Sequence, residues 1–165
     1  MRRFLVILCC LWPKIVLAQG FAVHDLTALA EEGRTALGDG TTAQAQPLQL
    51  VLTCAACDSA PAAEMQLGRL TDGTEGRVRS GKTTLAALEA LCVKQNPDCR
   101  LTSLPAGPAI GWISVYALER GAGATAVILR DGDLLTIAAK AATRGAAADA
   151  VQRLARKLLP QIVGR

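Results

Sequence analysis

The chain has 165 residues, 51% of them hydrophobic and 19% charged, which excludes a disordered polymer and fits one globular domain. Of 18 basic and 14 acidic residues, Arg2, Arg3 and Lys14 fall within positions 1–18, where there is no acid, so the rest of the chain carries 15 against 14. A body so nearly neutral excludes a strongly basic nucleic-acid binder, which needs several clustered phosphate contacts, and its three aromatics, Phe21, Trp112 and Tyr116, are too few for base-stacking platforms.

Arg2 and Arg3 precede an unbroken apolar run from Phe4 to Trp12, and Val16-Leu17-Ala18 places modest or small side chains where signal peptidase reads them. This is the pattern of a secretory leader, 1–18, cleaved after Ala18. A run of about nine residues rises roughly 14 Å as a helix against about 30 Å of hydrocarbon, so it cannot span a bilayer unaided. The alternative is an uncleaved N-terminal anchor, with Lys14 close to the cleavage site. Leu8 stands before Cys9 where a lipoprotein site needs a small residue. No later apolar run approaches the ~20 residues of a membrane helix. The expected product is a periplasmic domain, 19–165, with no membrane attachment after cleavage.

Beyond the leader, Leu26, Leu29, Ala30, Gly33 and Leu37 recur at helical spacing opposite Glu31, Glu32 and Arg34, which predicts an amphipathic helix. It stops at Gly38-Asp39-Gly40, and 41–47 reads as a polar connector. Leu48 to Thr53 reads as a strand ending at Cys54. A second strand, Met65 to Leu70, meets Thr71-Asp72-Gly73-Thr74, where Asp-Gly predicts a hairpin turn with Arg77-Val78-Arg79 as the returning arm. Leu85, Leu88, Leu91 and Cys92 share a helical face, so a helix is predicted over 84–95, ended by Asn96-Pro97. Ile110 to Leu118, Thr125 to Arg130 and Leu134 to Ala139 form a three-stranded meander with a two-residue turn at Asp131-Gly132. A final helix places Ala147, Val151, Leu154, Ala155, Leu158 and Ile162 in one stripe, opposite Arg153, Arg156 and Lys157. These bases suit the C-terminal end of a helix dipole and read as a solvated face. The alternation argues for α+β, a mostly antiparallel sheet of hairpin plus meander covered on one side by about three helices.

Without Cys9 and Cys10 of the leader, four of the six cysteines remain: Cys54, Cys57, Cys92 and Cys99. An even count in an exported chain reads as two disulfides, with three possible connectivities. The turn at Asn96-Pro97 can return Cys99 to Cys92, and Cys54 would then pair with Cys57. Cys54-Ala55-Ala56-Cys57 at a strand end supports two other chemistries: a dithiol cycling with its disulfide, or soft-metal binding. Those four residues with Thr53 are similar to the metal-binding loop of heavy-metal-associated domains, in which a helix follows the second cysteine. Here Asp58-Ser59-Ala60-Pro61 follows instead.

Gly76-Arg77-Val78-Arg79-Ser80-Gly81-Lys82-Thr83 fits the phosphate-loop pattern, in which backbone N–H groups curl around a phosphate. The bulky Arg-Val-Arg interior suits a strand better than such a cradle. His24, the one histidine, lies beside Asp25 with no ligand-spaced neighbour and reads as a surface residue. Ser103 and Ser114 have no base nearby in sequence. Trp112 and Tyr116 fall on one face of a strand, which predicts core packing. Gly107 to Trp112 together with Arg130-Asp131-Gly132-Asp133-Leu134 resembles a group of short exported bacterial proteins of unknown function, some of which are called 5-aminolevulinic acid synthases. That reaction needs pyridoxal phosphate on a lysine within a large fold, and Lys82, Lys94, Lys140 and Lys157 show no such setting. The resemblance therefore implies no activity and no cofactor. The functional expectation is a disulfide-stabilised binding or accessory protein for a periplasmic protein or small ligand, without a catalytic site. The alternative is a thiol-disulfide oxidoreductase or soft-metal carrier using Cys54 and Cys57.

Overall fold

The computed structural model describes residues 20–54 and 62–165, so the expected leader 1–18, its expected cleavage site and Cys57 lie outside the described residues. A 3-10 turn, Leu26–Leu29, runs into α1, Ala30–Leu37. Three strands follow, β1 (Thr42–Gln46), β2 (Gln49–Thr53) and β3 (Ala62–Arg69), then α2 (Thr74–Arg79) and α3 (Leu85–Gln95). The chain continues through β4 (Arg100–Ser103), β5 (Ile110–Ala117), β6 (Ala122–Arg130) and β7 (Asp133–Ala141) to α4 (Arg144–Ile162). The strands form one seven-stranded antiparallel sheet in the order β1-β2-β3-β7-β6-β5-β4.

The fold is α+β, with a larger sheet than a hairpin plus meander and with four helices. The meander is present as β5-β6-β7. Asp131 and Gly132 adopt φ of 53° and 84° at the β6–β7 turn, the left-handed pair that a two-residue hairpin requires. Both sheet edges differ from the expectation. The stretch 41–47, read as a connector, contains β1, in which Ala43 and Ala45 alternate with Thr42, Gln44 and Gln46 and pack half-buried against the core, a faint signal because alanine is small. β4 has four residues and lies at the opposite edge. The Asp72-Gly73 turn is not a hairpin turn either. Gly73, at φ 80°, precedes the first residue of α2, Asp72 accepts the Thr74 N–H at 2.9 Å, and 77–79 is helical. β3 finds its partner non-locally instead, with Met65 opposite Ile137 of β7.

The core lies between the sheet and α1 with α4. Thr143 caps α4 by accepting from the Ala146 N–H, and the expected stripe from Ala147 to Ile162 is buried against β6 and β7. Leu50, Leu52, Met65, Ile128, Leu135 and Ile137 alternate inward to meet it, each fully buried and stabilising by roughly 1.5–3 kcal/mol. The second face is also covered at the β4–β5 end. There α2 and α3 pack, and Leu101 and Leu129 are buried outside the main cluster. Trp112 and Tyr116 belong to this second face by strand alternation from Ile113, and both are half-buried instead of packed into the core. The Tyr116 hydroxyl lies 3.1 Å from Thr125 Oγ1.

Candidate functional site

Several residues singled out in the sequence have structural partners. Cys92 at the end of α3 is bonded to Cys99, with Cα atoms 5.8 Å apart, as the Asn96-Pro97 turn predicts. Asn96 donates its backbone N–H to the Cys92 carbonyl and accepts the Asp98 N–H, which folds the connection back. Cys54 follows the last residue of β2, is half-buried and is disulfide-bonded. Among the described residues, no three His, Cys, Asp or Glu side chains gather as a metal ion would need.

The phosphate-loop match falls inside a helix and the turn after it. Ser80 N–H donates to Gly76 O at 3.1 Å, Gly81 N–H to Val78 O at 3.0 Å and Thr83 N–H to Arg77 O at 3.0 Å. The Ser80, Gly81 and Thr83 backbone donors already have partners, so the segment would have to unwind to turn them toward a phosphate. Ser114 donates to the Thr125 carbonyl, and His24 is bonded elsewhere, so the fold does not assemble a serine–histidine pair.

His24 instead joins a cluster around Asp133. The Asp133 side chain is 5% exposed and accepts three bonds: Phe21 N–H at 2.8 Å, Arg69 at 2.8 Å and His24 Nε2 at 2.9 Å. Burial works against the ionised carboxyl. The Phe21 N–H, then His24, then the Arg69 charge outweigh it, and the group is held below its ordinary value. Gly20 is required by this geometry, because a Cβ there would lie 2.0 Å from Asp133 Oδ2. The same segment continues as a strap, with Ala22 and Val23 N–H groups both donating to the Ile162 carbonyl at the end of α4. From the other side, Glu75 of α2 accepts the Gly132 N–H and pairs with Arg79, so the β6–β7 turn is held by two carboxylates. Asp133 went unrecognised in the sequence reading. Its signal was parity, since 133, 135 and 137 face the same way and the latter two are core residues. Among the described residues no buried side-chain polar atom lacks a partner, and the cluster holds the N-terminal segment to the sheet.

The feature with room for a ligand lies at the other side of α4. A cavity of about 830 Å³ opens between the β4–β5 connection, 103–108, and the C-terminal half of α4. Its floor is apolar: Ile113, Ala155, Leu159 and Val163 line it, each under 5% exposed. Pro105, Pro108 and Pro160 form stiff exposed walls, and Arg156 and Arg165 stand on the rim. The side chains of Arg156 and Arg165 enter no ion pair among the described residues, and no acidic residue lines the cavity. The other side of the same connection borders a smaller cavity of about 410 Å³, lined by Val78, Leu85, Leu88 and Trp112. No helix among the described residues is long and apolar enough to cross a membrane. Comparison with family models, with curated proteins and with solved structures finds no match for the chain.

Proposed function

We propose that the chain is an exported, periplasmic binding or accessory module without a catalytic step, and that its ligand occupies the groove between 103–108 and α4. The observation that carries this reading is the cavity of about 830 Å³, within the ~300–1,000 Å³ of small-molecule sites, with an apolar floor and a few polar groups at one margin. The leader-like segment 1–18 and the Cys92–Cys99 bridge support export into an oxidising compartment. The test is a titration of residues 19–165 with N-phenyl-1-naphthylamine, a neutral apolar fluorophore. Saturable one-to-one binding is expected, lost in Ala155→Phe or, should that variant not fold, in Gln152→Phe, since both side chains line the groove. Absence of saturable binding, or binding indifferent to the filling variant, would sink the reading.

A second reading has Cys54 and Cys57 as a redox dithiol or soft-metal pair, favoured by the half-buried, disulfide-bonded position of Cys54 at a strand end. A reduction potential near the thioredoxin value of about −270 mV or higher would support it, whereas a value below about −300 mV would assign a structural bridge.

A further inference from the structure

We infer that α3 is a redox-controlled flap: the Cys92–Cys99 bridge holds it against the edge of the sheet, and a dithiol that reduces the bridge frees it and uncovers the cavity beneath. Four observations carry this. Eight of the eleven residues of α3 are apolar, a composition that goes with burial all round, yet none is buried and Leu91 is 57% exposed. The packing beneath it is open. Leu85 and Leu88 border the cavity of about 410 Å³ whose other side is Trp112 and the 103–107 connection, and atoms facing a cavity lose the dispersion contacts that would hold a helix. Beyond its own helical bonds and caps, α3 makes two bonds to the rest of the chain among the described residues, and both lie on the β4 side. One is the disulfide, and the other is Glu89 Oε2 accepting the Leu101 N–H at 2.7 Å. Finally, the turn between the cysteines is anchored without the bridge. Asn96 Nδ2 donates to the Ala117 carbonyl at 2.8 Å, and Arg100 donates to the Pro97 and Cys99 carbonyls at 3.2 and 2.6 Å. Cutting the bridge therefore leaves the turn and β4 in place and removes the main tie on the helix.

Exchange reaches the bridge from one side. Cys99 is fully buried and Cys92 half-buried, so an incoming thiolate attacks Cys92 Sγ. The S–S bond breaks, its electron pair leaves on Cys99 Sγ, which takes up a proton, and the second thiol of the reagent displaces Cys92 from the mixed disulfide. Two electrons and two protons pass to the cysteines, and the dithiol becomes a disulfide.

The experiment is native-state hydrogen exchange read by mass spectrometry, before and after dithiothreitol, on residues 19–165 carrying Cys54→Ser and Cys57→Ser so that the reagent acts on the 92–99 bridge alone. Should that variant not fold, Cys92→Ser with Cys99→Ser set against the wild type makes the same comparison without reductant. Closing a loop of sequence separation 7 is worth roughly 60-fold in an opening equilibrium, so the amides of 88–95 should exchange about that much faster once the bridge is gone. They should do so by a route that low urea does not accelerate, because opening one helix exposes little surface. Acrylamide quenching of Trp112, the one tryptophan of 19–165, should rise with it. Unchanged exchange in α3 would overturn the inference, as would a bridge that dithiothreitol leaves intact in the folded chain. Acceleration shared by β6 and α4 with the same urea dependence would make the bridge a tie on the whole domain and overturn it too. None of these outcomes bears on the groove beside α4, whose test is separate.

Discussion

Replacing Asp133 by Asn removes one charge and changes almost no volume, and the structure says what else it removes. The Phe21 N–H is buried and its acceptor is Asp133 Oδ2, so an amide nitrogen at that position faces a donor with a donor. Leaving a buried N–H without an acceptor costs about 1–3 kcal/mol. Arg69 and His24 are 67% and 65% exposed, so solvent screens their contribution, and each pair is worth at most about 1 kcal/mol. Turning the amide the other way satisfies Phe21 but sets the NH2 against Arg69. The expected destabilisation is roughly 2–4 kcal/mol, or about 4–16 °C in Tm for a domain of this size. Urea unfolding followed by circular dichroism measures it, and pH supplies a second axis. The folded-state pKa of Asp133 lies below the unfolded value of 3.8, so its contribution is complete above that pH and is lost as pH falls through the folded value. The gap between wild type and Asp133→Asn should therefore be constant near neutrality and close below about pH 4. A gap under about 0.5 kcal/mol, the size of an ordinary surface substitution, or one that does not change on acidification, would refute the account of this carboxylate.

Gly20→Ala should lower stability through the same cluster, because its Cβ meets Asp133 Oδ2 at 2.0 Å, and a Gly20→Ala, Asp133→Ala double variant should recover part of the loss in a thermal melt. Cys92→Ser with Cys99→Ser opens a short loop of sequence separation 7, for which chain entropy gives about 2.5 kcal/mol, measurable as a reduced urea midpoint. Lys82→Ala should change stability by less than about 0.5 kcal/mol and leave calorimetry with ATP featureless, since the backbone around it is already bonded within α2 and its turn.

What the sequence disclosed was local periodicity, and what it hid was made by distant pairing. The stripe of α4, the extent of α3 and the Asp131-Gly132 turn are each written within a few residues and lie where the pattern placed them, although the apolar face of α3 is not buried and leaves Leu91 57% exposed. The Cys92–Cys99 bridge was legible for the same reason, a proline turn between nearby cysteines. By contrast Thr42–Gln46 alternates only small alanines with polar residues, a faint signal that suffices for an edge strand whose Ala43 and Ala45 are half-buried. Asp72-Gly73 has the composition of a hairpin turn, but β3 pairs with β7, more than sixty positions on in sequence, and the left-handed glycine opens a helix instead. His24 looked solitary because its partner, Asp133, is 109 residues away. The groove could not be read at all. Its walls come from 103–108 and from the end of α4, and neither segment alone marks a cavity.

The strap has a consequence for the order in which the molecule can be completed. The Phe21–Asp133 bond closes across 112 residues, and the Ala22 and Val23 bonds wait for Ile162. A polypeptide emerging from its N-terminus can form the Cys92–Cys99 loop and the β2–β3 pairing early, but residues 20–24 have nothing to dock on until β7 and α4 have been made. Loop-closure entropy rises only logarithmically with this separation, so the delay carries little thermodynamic penalty while imposing a long kinetic one. The start of the described fold is thus secured last, and it stays accessible to processing or chaperoning machinery for as long as the rest of the chain is incomplete.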